Sequence, residues 1–458
     1  MIRHSIHPRH WSRLIVFVLL GLSMPASAVT LPAIIGDHMV LQRDMDAPLW
    51  GWAEAGETIK VNGNWNDQWV ETRTDAAGRW VVRLPTPPAG GPFEITIQGR
   101  ETITLKDVLV GEVWICSGQS NMHMSLKPTV NWHTGCLNYE KEVAEAHFPH
   151  IRLLTVERRA FSEPLSDCQG SWQPCSPDTV AEFSAVAYFF GRRLHRQLNL
   201  PVGLINTSWG GTAIESWTPM EILQGEPLCA DILDKYHKAV QRFPAAMEEY
   251  RRQLTSWVER VIEAREQGRL NPPMPGAPPG PGLRDSPAAI YNAMIAPLVP
   301  FGIRGAIWYQ GESNASDPAR YRVLLPAMIS GWRTIWQQGD FPFYFVQLAS
   351  WDVTPAPNLT PEGWAELRDA QRMTLALSNT GMAVTVDIGD KYDIHPRNKQ
   401  EVGRRLALWA LARTYAQDVI YSGPLFKSMS VEGDQVVLQF DHVGGGLVSA
   451  SARQSKVF

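Results

Sequence analysis

From Leu31 to about Lys106 the chain changes every ~8–12 residues between short β-type runs and turn signals. The runs include Leu49 to Trp52, Thr58 to Val61, Trp80 to Leu84 and Phe93 to Ile97. Ala55-Gly56-Glu57, Ala76-Ala77-Gly78 and the Pro-rich stretch from Pro85 to Pro92 punctuate them. Short alternating runs between such breakers predict a small β-sandwich. Beyond this stretch, apolar strand-like runs alternate with longer segments of helical period. The predicted strands are Val108 to Cys116, Ile151 to Val156, Val202 to Asn206, Gly305 to Tyr309, Phe343 to Leu348 and Met382 to Val386. The predicted helices are Val180 to Leu198, Pro318 to Gln338, Glu362 to Leu377 and Arg397 to Tyr415. That alternation predicts an α/β domain with a parallel sheet, whose ligand edge lies at the carboxyl ends of the strands.

One interruption breaks the alternation. A charged helix from about Asp231 to Gln267 runs into Asn271 to Gly282, which is dominated by Pro and Gly. It reads as an inserted arm, either a solvated excursion or a wall over the active site. The expected organisation is a leader at 1–28, a β-sandwich accessory domain at 29–106 and an α/β domain at 107–422 carrying the insertion at about 225–288. An incomplete β segment at 423–458 closes the chain, because Val436 to Phe440 alternates like a strand just before Gly444-Gly445-Gly446.

The leader is expected from its text. Arg3, Arg9 and Arg13 precede an apolar run from Leu14 to Leu22, and Ala26-Ser27-Ala28 supplies small residues for cleavage. That run is shorter than the ~20 residues a spanning helix needs, so a periplasmic or secreted protein with no membrane span after cleavage is expected. Without the leader, 39 basic residues face 46 acidic ones, which gives no basic footprint for nucleic acid. Eighteen tryptophans are enough both to fill cores and to cover the apolar faces of sugars. Five cysteines in an exported chain allow one or two disulfides, with Cys168 and Cys175 the expected pair and Cys116 expected to stay free. No cysteine or histidine cluster has zinc spacing.

Polar, turn-forming text at four strand ends is poorly explained by packing. Gly111 to Cys116 runs straight into Ser117-Gly118-Gln119-Ser120-Asn121, a tight turn that would expose Ser120 beside a base. Met122 stands where the nucleophile-elbow pattern has its second glycine, so that general motif lends little support. Asn206 to Thr212 contains Gly210 and Gly211, and Tyr309-Gln310-Gly311-Glu312 ends a third strand. Backbone N–H groups beside the glycines and the Gln310 amide are the kind of donors a developing oxyanion needs. Each of these turns taken alone is more often an ordinary turn than a catalytic one. The fourth, Asp387 to Pro396, places His395 two residues after Asp393, a histidine able to take the serine proton and a carboxylate able to hold its tautomer. Its Asp repeat lacks the spacing and the glycine of an EF-hand, and no metal or cofactor is expected.

Together these segments resemble the sialate O-acetylesterase-like branch of the SGNH/GDSL hydrolase superfamily. The resemblance runs from Leu31 through about Leu447 and includes Leu31-Pro32-Ala33 and Gly36 to Arg43 in the leading β region. It implies a flavodoxin-like three-layer SGNH domain with an accessory β-domain. It also implies hydrolysis of O-acetyl esters on carbohydrate, from sialic acids to plant polysaccharides such as xyloglucan. Carried onto this chain, Ser120 is the nucleophile and His395 the base, with the N–H of Ser120, a Gly210 or Gly211 N–H and Gln310 forming the oxyanion hole. The superfamily carries its Asp three residues before the His, a position held here by Tyr392. Asp393 is therefore taken as the third member, with Asp390 the alternative. The competing readings are a carbohydrate-binding protein without turnover and a lipase or thioesterase, the latter requiring an apolar tunnel that the polar text does not advertise. Relative to that family the terminal β segment stops early, so a shortened chain with loosely packed residues after about Ser422 is expected.

Overall fold

The computed structural model describes residues 28–130, 132–354 and 356–447. The expected leader up to Ser27 and the tail after Leu447 lie outside them. Six strands lead the chain: β1 (Val40–Gln42), β2 (Asp46–Trp52), β3 (Thr58–Gly63), β4 (Val70–Arg73), β5 (Arg79–Pro85) and β6 (Gly90–Gln98). In β5 Trp80, Val82 and Leu84 are buried while the residues between them are exposed, the period of a strand covered on one face. β2 pairs with β5 in a sheet of two, and β3 pairs with β4 and β6.

β7 (Thr102–Gly118) joins this region to the rest of the chain. It is partly exposed as far as Asp107 and continuously buried from Val108 onward; β6 pairs with it between Thr102 and Val110, β1 at Leu109 to Gly111, and β10 (Val202–Asn206) and β11 (Gly305–Tyr309) from Glu112 to Gly118. A strand covered on both faces needs such an unbroken apolar run. The boundary expected after residue 106 thus falls inside one strand, and β1, β3, β4 and β6 share a backbone ladder with the central sheet, while β2 and β5 stand apart from it.

With β8 (Phe148–Thr155), β9 (Trp172–Cys175), β12 (Phe343–Val346) and β13 (Thr380–Ala383), the central order is β13-β12-β11-β7-β10-β8-β9. All neighbours in it are parallel except β8 and β9. Among the described residues, nine α-helical segments connect the strands: α1 (Ser120–His123), α2 (Tyr139–Ala144), α3 (Pro177–Val180), α4 (Ala185–Leu198), α5 (Met220–Gly225), α6 (Ala230–Glu266), α7 (Pro318–Trp336), α8 (Pro361–Met373) and α9 (Lys399–Arg413). α4 packs on α9, and α7 on α8. The helix predicted over Val180 to Leu198 is broken at Ser184. Its hydroxyl accepts from Ala187 N–H to cap α4 and donates to Met122 O at 2.6 Å, fastening that helix to the turn after β7.

α6 is the inserted arm. Only Leu233 and Ala264 are buried along its 37 residues. The Pro-rich segment returns along it, with Trp257 Nε1 donating to Pro272 O at 2.9 Å. No residue of the arm lines the cavities described below, which favours the solvated excursion over the wall. All five cysteines are buried free thiols, so the bridge expected between Cys168 and Cys175 is not formed. β9 ladders onto β8 and sets the Cys175 thiol toward Ala146 O, while burial pushes both thiols up to about 12. After α9 the strands β14 (Leu425–Glu432) and β15 (Gln435–Asp441) form a largely exposed hairpin, paired with each other alone among the described strands. No helix among the described residues is long and apolar enough to cross a membrane.

Candidate active site

The carboxyl end of β7 turns sharply because Gly118, at φ +138°, lies against β11, where a Cβ would come within 2.1 Å of Tyr309 O. Gln119 N–H donates to that same carbonyl at 2.9 Å, and one helical turn, α1, starts at Ser120. The Gln119 side chain accepts from the N–H groups of Gly311 and Ser313 at 3.3 and 3.2 Å, so the serine turn and the end of β11 form one unit. From β10, Trp209 N–H donates to Gly118 O at 3.0 Å and brings the glycine pair alongside. A Cβ on Gly210 would stand 3.3 Å from Ser120 Cβ, so this glycine permits the close approach. Among the described residues, the N–H groups of Gly210 and Gly211 have no acceptor.

Ser120, Gly210, Gly211 and His395 line one cavity of about 500 Å³, with Trp132, Trp209 and Glu312 completing its walls. His395 packs edge-on against Trp132, ring centroids 5.3 Å apart. Asp393 Oδ1 accepts from His395 N–H at 2.8 Å and stands 3.6 Å from the ring Nδ1, an ion-pair distance too long for a hydrogen bond. Asp390 accepts from Tyr392 N–H, and Asp387 is held by Arg405 at 2.6 Å on both oxygens. Of these three carboxylates, Asp393 is the one beside the imidazole.

Gln310 is not brought to the cavity. It is fully buried, and its amide donates to Thr212 O at 3.1 Å and to Asn314 Oδ1 at 2.7 Å. The physical reason is its place on the inward side of the chain leaving β11, where those two acceptors need a donor. The sequence reading gave that amide to the oxyanion, and here it braces the loops behind the site.

A buried polar network under the cavity escaped the sequence reading. Asn121 Nδ2 donates to Glu312 Oε1 at 2.5 Å and to Ile394 O at 3.0 Å, while Asn121 Oδ1 accepts from Lys399 Nζ at 2.5 Å. Lys399 also lies over the Tyr309 ring. Burial raises the Glu312 carboxyl and pulls Lys399 down to about 7, Glu312 opposing the latter shift. Burial, then Lys399, lowers His395 to about 4 against the pull of Asp393, so its imidazole is neutral at neutral pH. His123, beside Ser120, and His133 are lowered to about 4 as well, burial being the main cause for both. Asn121 and Glu312 sat within segments already singled out, and Lys399 within a predicted helix. Nothing in the local text marked Trp132.

Residues 110–257 and 284–412 match a family described as carbohydrate esterase, sialic acid-specific acetylesterase. The unmatched interval between them covers the end of α6 and the Pro-rich return. A sialate O-acetylesterase of Rattus norvegicus is 30% identical, spanning 93% of this chain and 81% of that protein. That of Homo sapiens is 30% identical over 85% of this chain and 72% of its own. A solved carbohydrate acetylesterase from Xanthomonas citri is similar at a TM-score of 0.72 and 35% identity, covering 90% of this chain and 82% of that one.

Proposed function

The chain belongs to the sialic acid-specific acetylesterase family of carbohydrate esterases and hydrolyses acetyl esters on sugars, and on that premise we propose a serine acyl-enzyme mechanism centred on Ser120. The observation that carries it is the convergence of Ser120, His395 and the Gly210-Gly211 pair on one cavity at the carboxyl ends of parallel strands. Neutral His395 takes the Ser120 proton as the hydroxyl attacks the acetyl carbonyl. Asp393, beside Nδ1, stabilises the imidazolium that results. The oxyanion is met by backbone N–H groups, that of Ser120 at the start of a helical turn and one from Gly210 or Gly211. With Gln310 committed elsewhere, backbone donors carry this role. Collapse breaks the bond to the sugar oxygen, which takes the proton from His395 and leaves as the hydroxyl, and water then releases acetate by the same route.

The fold reading behind this is an SGNH-type domain with the leading strands as its accessory β-domain, supported by the parallel central sheet with β7 at its middle. The basic and apolar text before Ala28 supports an exported protein, periplasmic or secreted. Sialosides and plant polysaccharides such as xyloglucan are the substrate classes in view. The alternative, a carbohydrate-binding protein without turnover, is disfavoured because nucleophile and base share one cavity. The test is hydrolysis of p-nitrophenyl acetate, followed by acetate release from acetylated xyloglucan, xylan and sialosides. Binding without release from any of them would establish the alternative.

A further inference from the structure

Beside the Ser120 cavity lies a second, of about 670 Å³, and His123 and Trp132 line both. It opens on the ligand edge of the sheet, against Thr155 at the end of β8, Gln173 on β9 and Asn206 at the end of β10. An acetyl group needs only the first cavity, so the second is room for the rest of the substrate. Its chemistry is mixed. Arg158 and Glu157 both reach its rim, and neither has an ion-pair partner among the described residues. Arg158 instead donates to His123, most closely at Nε2, on the wall shared with the Ser120 cavity. Glu182, the other acid lining the cavity, is already paired with Lys127.

One cation and one carboxylate without an ion pair among the described residues, together with side-chain amides, supply donors and acceptors in balance. A hydroxyl is itself both donor and acceptor, and a ring bearing several of them matches such a lining. A carboxylate-bearing ring would meet Glu157 as readily as Arg158. The indole of Trp132, tilted against His123 at 5.2 Å, adds the flat apolar wall that a pyranose face covers. Resting on the esterase reading above, we infer that this second cavity is the subsite for a neutral pyranose ring of the glycan, holding its hydroxyls while the acetyl group enters the Ser120 cavity.

Two exposed residues of the lining allow a test on the full chain. Ser171→Trp fills the cavity and Gln173→Ala removes an amide from it, and both side chains face solvent, so folding is spared. The readout is kcat/KM on acetylated xyloglucan oligosaccharides divided by kcat/KM on p-nitrophenyl acetate. For Ser171→Trp this ratio should fall by about tenfold or more, through KM, and for Gln173→Ala by a smaller factor in the same direction. Equal effects on both substrates, or none on either, would overturn the subsite. An Arg158→Met variant impaired on an acetylated sialoside but not on the neutral oligosaccharide would overturn the neutral ring. Wild-type protein that hydrolyses p-nitrophenyl acetate but no acetylated glycan would overturn it too. Wild-type protein inert toward every acetyl ester would instead bring down the esterase mechanism on which the subsite depends.

Discussion

Asn121 Nδ2 donates to the carbonyl oxygen of Ile394 across 3.0 Å, so the residue after the proposed nucleophile holds the residue before the proposed base. The same amide is fixed in orientation by Glu312 on its donor side and Lys399 on its acceptor side. Asn121→Leu should therefore lower kcat more than it raises KM, by up to about 100-fold, because small displacements of reacting groups are costly. It also leaves two buried polar side chains, Glu312 and Lys399, short of a partner, a loss of about 1–3 kcal/mol. Steady-state kinetics with p-nitrophenyl acetate and a thermal melt check both, and wild-type kcat in the variant would remove the clamp from the account.

The pH profile follows from the environment of His395. Only neutral imidazole accepts the serine proton, and burial lowers this ring to about 4 from an ordinary value near ~6.5. The acid limb of kcat/KM should accordingly lie near pH 4, with a plateau through neutrality. Stability obeys the same shift. Because His123, His133 and His395 bind protons less readily folded than unfolded, their contribution is complete above the unfolded pKa and is lost as pH falls from about 6.5 toward 4. Tm measured from pH 8 to 4 should drop across that window. An acid limb at pH 6.5 would place the base in water.

Asp393→Asn should cost more activity than Asp390→Asn, because it removes the negative charge that stands 3.6 Å from the ring Nδ1 and stabilises the imidazolium. Asp390 spends its carboxylate on Tyr392 N–H, while Asp393 sits beside the ring. The reverse ranking in kcat/KM would move the orienting role to Asp390.

Limited proteolysis should cut within 423–447 before the α/β domain. Among the described strands β14 and β15 have only each other, and Phe426, Met429, Val431 and Val436 are exposed. Marginal two-stranded hairpins open readily. First cuts inside 107–422 would show the hairpin to be held.

The parallel sheet was legible because its strands are buried on both faces and read as continuous apolar runs; the ranges predicted for β10 and β11 are those observed. That Ser120 and His395 meet at one cavity was foreshadowed in the sequence, because polar turn text at the end of an apolar strand is costly without a purpose. What escaped depends on distance across the fold. Lys399 looks like an ordinary first residue of an amphipathic helix until Asn121, 278 positions earlier, is seen to accept from it. Gln310 shows the converse, since its text suited an oxyanion donor and only the position of Asn314 and the Thr212 carbonyl reveals where its amide points. The length of β7 was hidden for a similar reason, because the change from one covered face to two occurs inside a single unbroken strand.

If Ser120 carries the acetyl group, kcat for p-nitrophenyl acetate in Ser120→Ala, with Tm recorded on the same preparation, reads that role directly. A fall on the order of 10⁶ at unchanged Tm is expected, as when a nucleophile is removed from a preorganised site. Activity within tenfold of wild type in a folded Ser120→Ala protein would contradict it.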